Sequence, residues 1–103
     1  MEKGKNSNID QKYDRHEQLC KELNQTYRSK NIAYGDSFGK TVQKYGNISA
    51  LTRMSDKWSR IEALMLGAEN NVSDERLEDT LKDMACYCLM TIIEMEEMNS
   101  NAK

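Results

Sequence analysis

Proline is missing from this 103-residue chain, and glycine occurs only five times. Proline breaks helices and glycine serves tight turns, so both scarcities favour long uninterrupted helices over a turn-rich β fold. A single histidine and three cysteines, Cys20, Cys86 and Cys88, leave too few soft ligands for a zinc centre. His16 and Cys20 can meet on one helix face. Cys86 and Cys88, two apart, point to different sides of a helix. The cysteines are therefore read as buried and reduced. No apolar run is long enough to span a bilayer, since the longest, over residues 84–93, is interrupted by Tyr87 and Thr91. Residues 1–10 are polar and lack the apolar segment of a signal peptide, so the chain is expected to stay in the cytoplasm. Nor is there a Walker loop, or a Ser–His or Cys–His pairing with local motif support.

Charge of one sign is also lacking. The 15 basic and 17 acidic residues give a formal net charge of −2, which argues against a surface for duplex nucleic acid but leaves room for a local basic pocket. With 38% hydrophobic and 31% charged residues, the composition is that of one folded, soluble domain with a modest core.

Apolar spacing supplies the helices. Ile9, Tyr13, His16, Cys20, Leu23 and Tyr27 recur at steps of three and four, the stripe of an amphipathic helix over residues 9–32. Gly35 ends it, and Asp36 or Ser37 caps a short helix carrying Phe38, Val42 and Tyr45. Gly46 closes that segment. A third helix follows from Asn47 or Ser49, with Leu51, Met54, Trp58, Ile61 and Met65 on its core side. Gly67 ends it. Ser73 then caps a fourth helix running to about Met98, with a hydrophobic staple between Val72 and Leu77. Its core stripe is read as Leu77, Leu81, Met84, Cys88, Ile92 and Met95. The expectation is an all-α, compact antiparallel bundle of about four helices. A flexible arm over residues 1–8 precedes a single domain over 9–98, and 99–103 fray.

Two charged strips stand out on these helices. Glu75, Asp79 and Asp83 step by four along one flank of the last helix, which continues into Cys86, Met90 and Ile93. Facing carboxylates repel unless a cation, a base or a proton relieves them, and magnesium, which prefers oxygen ligands, is a suitable counterion. On the third helix Arg53, Lys57 and Arg60 share a face with Asp56 at its edge. Arginine grips phosphate bidentately and lysine adds a compact charge. Lys40 and Lys44 add charge from the short helix. Tyr34, Phe38, Tyr45 and Trp58 are base-stacking candidates, although at helical spacing each also serves a core. The plainer alternative pairs Arg53, Lys57 and Arg60 directly with Glu75, Asp79 and Asp83 across the bundle. Any chemistry should be metal-assisted attack of water on a phosphoanhydride.

As an ordered set, Tyr34-Gly35-Asp36-Ser37-Phe38, Arg53, Asp56-Lys57, Arg60-Ile61, Glu75, Asp79-Thr80-Leu81, Asp83, Ala85 and Tyr87 resembles the nucleotide modification associated domain family, type one, of bacteria and phages. The resemblance covers about residues 27–97. That family is distantly similar to the all-α nucleoside triphosphate pyrophosphohydrolases of the MazG and dimeric dUTPase type. The resemblance implies a MazG-like helical fold, a homodimer or higher homo-oligomer, and a nucleotide or nucleotide-derived ligand in a bacterial cell or phage-infected host. It places Asp79 and Asp83 at the metal-binding, catalytic part of the last helix, with Glu75 and Asp56 as further magnesium ligands. Tyr34, Asp36, Phe38, Lys40, Arg53, Lys57 and Arg60 are the ligand-binding candidates. Where those pyrophosphohydrolases carry Glu-Glu-x-x-Glu, this chain has Asp56-Lys57-Trp58-Ser59-Arg60. The first functional expectation is a magnesium-dependent pyrophosphohydrolase. The alternatives are a non-catalytic module that binds or sequesters a nucleotide and, third, a helical protein-interaction adaptor.

Overall fold

The computed structural model describes residues 8–67 and 76–101, and among these the chain is all-α. Four helices follow one another: α1 (Asn8–Tyr34), α2 (Ser37–Tyr45), α3 (Asn47–Met65) and α4 (Leu77–Asn101). The expected Ser73 cap, the Val72 half of the staple and the carboxylate of Glu75 lie outside the described residues. At its far end the fourth helix runs past Met98 to Asn101.

The chain divides into two compact units, residues 1–34 and 35–103. The first contains α1, a helix of 27 residues none of which is buried. Short-range polar pairs lie along it: Arg15 reaches Gln18 at 3.1 Å and Glu22 at 3.5 Å, and Lys21 sits 3.8 Å from Glu17. His16 Nδ1 and Cys20 Sγ come within 3.8 Å, the i,i+4 meeting expected from their spacing. Of the anticipated apolar stripe, only Leu23 and Tyr27 are half-buried; Ile9, Tyr13, His16 and Cys20 are exposed.

In the second unit α2, α3 and α4 pack against one another. Gly35 and Asp36 both adopt left-handed backbone, at φ 64° and 57°, which separates α2 from α1. Asp36 occupies the N-cap position of α2, but its side chain makes no capping hydrogen bond. Gly46 alone joins α2 to α3. Its N–H donates to the Val42 carbonyl at 2.7 Å, and its own carbonyl accepts from the Ser49 N–H and hydroxyl. At φ 84°, with nothing within 4 Å of a Cβ built there, backbone conformation rather than space favours glycine at that joint.

Among the described residues of this unit the core is small, with Val42, Ala50 and Ile61 as the buried hydrophobic residues. On α3 the inward row is Ala50, Met54, Lys57, Ile61 and Leu64, whereas Leu51, Trp58 and Met65, expected inside, are exposed. Tyr45 of α2 is likewise exposed. The correction on α4 is larger. Its inward row is Leu77, Thr80, Met84, Tyr87, Thr91, Glu94 and Met98, in alternating steps of three and four. Leu81, Cys88, Ile92 and Met95, read as core from their spacing, are exposed. Apolar residues occur on more than one side of α4, and a 3.6-residue period cannot choose between two such sides. The inward side is fixed instead by polar groups that find partners on α2 and α3. The three cysteines form no disulfide with one another, and Cys20 and Cys88 are exposed rather than buried.

Candidate functional site

Asp83, Tyr87 and Glu94 lie on the inward side of α4, four and seven residues apart. At 1.5 Å per residue this places Tyr87 about 6 Å beyond Asp83 and Glu94 about 10 Å beyond Tyr87. Each meets a different partner. Lys57 of α3 donates to Asp83 Oδ2 at 3.0 Å, with the lysine side chain 26% and the carboxylate 41% exposed. One turn earlier on α3, Arg53 Nη1 donates to the Tyr87 hydroxyl at 3.2 Å. As the α4 partner moves from 83 to 87, the α3 partner moves back from 57 to 53. The two helices are therefore antiparallel, and the register sets a carboxylate and a phenol beneath two basic groups.

The short helix α2 supplies the remaining contacts. Phe38 packs against Tyr87, with ring centroids 5.6 Å apart and planes tilted by 47°. Such a tilted pair favours contact between ring edge and ring face. Five residues further on, Gln43 Nε2 donates to Glu94 Oε1 at 2.8 Å and to the Glu94 carbonyl at 3.3 Å. Glu94 is only 7% exposed, and this amide is what makes a buried carboxylate tolerable. Gly39 lies over it. A Cβ at Gly39 would stand 2.7 Å from Glu94 Oε2 and 2.7 and 2.8 Å from the two carboxylate oxygens of Asp36. Any side chain at residue 39 would oblige one or both of these acidic side chains to shift.

Of the candidates named from the sequence, Lys57, Asp83, Arg53 and Phe38 are brought to this seam. Asp36 is half-buried beside Gly39. Arg60 is exposed but engaged, and Asp56 and Asp79 are exposed. Lys40 is exposed, its Nζ 3.9 Å from where a Cβ on Gly35 would lie. Tyr34, 69% exposed, ends α1 and belongs to the first unit. Tyr45 and Trp58 are exposed, Tyr45 lying beneath Lys44 Nζ at 5.3 Å. The direct pairing of basic and acidic strips, expected as the plainer alternative, is realised at Lys57–Asp83. Glu75, the first residue of the acidic column, falls outside the described residues. Among the described ones, no three histidines, cysteines or carboxylates converge as metal ligands. Lys57 occupies one oxygen of Asp83, and Asp79 stands exposed one turn before it.

Tyr87, Gln43 and Glu94 had no assigned role in the sequence. Glu94 carried one visible signal, a carboxylate between Ile92-Ile93 and Met95, on the row that also contains Tyr87 and Thr91.

A family model described as Nucleotide modification associated domain 1 matches residues 30–95. The chain belongs to that family. No curated protein and no solved structure matches it. The family match begins near the end of α1 and takes in α2, α3 and most of α4, so it contains every contact of the seam. No described helix of this family member is long and apolar enough to cross a membrane.

Proposed function

We propose that this domain binds a phosphorylated nucleotide at the α3–α4 seam. Lys57 and Arg53 take phosphate oxygens there, and the Phe38–Tyr87 pair packs on the base or sugar. One observation carries the reading: α3 holds two cationic side chains one turn apart, against a carboxylate and a phenol on α4. A guanidinium and an ammonium at that spacing suit several phosphate oxygens better than one carboxylate. Aromatic rings beside them provide the stacking surface that nucleotide sites use without regard to sequence. The family's association with nucleotide modification agrees in kind.

Isothermal calorimetry of the full chain against a panel of nucleoside mono-, di- and triphosphates tests this. Binding should appear for at least one nucleotide and fall at least tenfold in Lys57→Ala and Arg53→Ala. A panel without binding, or binding indifferent to both substitutions, refutes it.

Magnesium-dependent release of pyrophosphate is the second reading, favoured by Asp79 standing one turn before Asp83 on α4. No step is assigned to the metal here, because the described carboxylates do not gather around one point. Pyrophosphate release in the presence of Mg²⁺, abolished in Asp79→Asn, would establish turnover. We also propose a second copy of the chain as partner. Leu81, Leu89, Ile92 and Met95 form an exposed apolar face along α4, and a face of this kind along one helix suits a two-fold pairing. Light scattering that finds only monomer at high concentration would remove this part.

A further inference from the structure

We infer that Asp83 stands, in the ligand-free protein, where the ligand's phosphate binds, and so sets the least negative charge a ligand must carry. The inference rests on the nucleotide reading above and deepens it.

The two basic groups of the seam are satisfied unequally. Lys57 holds a carboxylate at 3.0 Å, whereas Arg53 gives one of its N–H groups to a neutral phenol at 3.2 Å. A guanidinium has five donors, so Arg53 is left with capacity that Tyr87 does not use. Asp83 and Tyr87 are separate side chains one turn apart, and neither can take both bases. A phosphate group with two negative charges and three free oxygens can. An ammonium has three donors, so the phosphate can share Lys57 with Asp83 or take its place, and in either position it sits close to a carboxylate.

That proximity selects among ligands. A neutral nucleoside or base offers nothing for which Lys57 would leave Asp83. A single carboxylate only repeats what Asp83 already supplies. A phosphate dianion, and more strongly a di- or triphosphate end, gains on Lys57 and Arg53 together. The seam is therefore built for a nucleoside polyphosphate, and Asp83 excludes its uncharged precursors. Like charges about 4 Å apart in a partly desolvated seam repel substantially, so Asp83 weakens metal-free binding of the anion it selects.

The sign of this effect separates the idea from a ligand role for Asp83. The full chain is titrated calorimetrically with inorganic pyrophosphate in the presence of a chelator, as wild type, Asp83→Asn, Asp83→Ala and Lys57→Ala. Asp83→Asn and Asp83→Ala should each bind pyrophosphate about tenfold more tightly than wild type, and Lys57→Ala should lose binding. Two aspartate variants are used so that a folding defect in one, seen by circular dichroism, leaves the other to decide. Wild-type binding that is unchanged or weakened by the aspartate substitutions overturns this inference and leaves the nucleotide reading standing. Absence of pyrophosphate binding in wild type and in both aspartate variants also overturns this inference, and the nucleotide panel then decides the reading it rests on.

Discussion

Replacing Gly39 with alanine tests the packing at the far end of the seam, and its sign is not that of an ordinary glycine-to-alanine change in a helix. On backbone grounds alone the substitution should stabilise α2 by up to about 1 kcal/mol. The added methyl, however, would lie 2.7 Å from Glu94 Oε2 and 2.7–2.8 Å from both Asp36 oxygens. The Asp36 carboxylate is half-buried and can swing outward at small cost. Glu94 cannot, because it is 7% exposed and tied to Gln43 at 2.8 Å. Moving it sacrifices a hydrogen bond to a charged group, worth roughly 1.5–3 kcal/mol when the donor is left behind. The balance is a net destabilisation of about 0.5–2 kcal/mol. Urea unfolding followed by circular dichroism measures it as a shift in midpoint at unchanged slope. A double-mutant cycle sharpens the result. In a Glu94→Ala background the obstacle is gone, and Gly39→Ala should become neutral or stabilising. In an Asp36→Ala background most of the penalty should persist. If Gly39→Ala stabilises the wild-type protein, or the Asp36 background abolishes the penalty, the buried Glu94 carboxylate is not what confines Gly39.

Three further outcomes are expected. A double-mutant cycle on Lys57→Ala and Asp83→Ala should give a coupling of about 0.5–1 kcal/mol at low salt, decreasing at high salt. The solvent exposure of Asp83 keeps the figure small, and a coupling of zero would mean the 3.0 Å contact adds nothing to stability in solution. Gly46→Ala should cost about 1–2 kcal/mol in urea unfolding because a Cβ is strained at φ 84°, even though the site is sterically open; no loss would show that the α2–α3 joint relaxes. Trp58→Ser should change unfolding by less than about 0.5 kcal/mol at low protein concentration, since the indole is 52% exposed. A loss of several kcal/mol would place Trp58 in a buried contact.

The helices were legible in the sequence because local signals suffice for them. Gly35, Gly46 and Gly67 all adopt positive φ at or next to helix ends, and the absence of proline left nothing to interrupt what lay between. The inward faces were not legible. Leu81, Cys88, Ile92 and Met95 are as periodic as a core stripe, and only tertiary packing turns α4 so that Thr80, Tyr87 and Glu94 face α2 and α3 instead. Trp58 misled for the same reason, being seven residues from the equally exposed Leu51 and Met65. On the site, the basic strip and the acidic column were both visible from spacing. Their direct pairing was the plainer of the readings left open, and the Lys57–Asp83 pair realises it. Tyr87 and Glu94 stayed hidden because their significance lies in residues 34 and 51 positions away, Arg53 and Gln43, and no local pattern encodes such a pairing.

Backbone amide NMR of the full chain, titrated with a nucleoside triphosphate, locates the ligand directly. The largest shift changes should gather at Arg53 and Lys57 on α3 and at Asp83 and Tyr87 on α4, with Phe38 moving in step. Changes confined to α1, or to the outward positions Leu51, Trp58 and Met65, would contradict a nucleotide site at the α3–α4 seam.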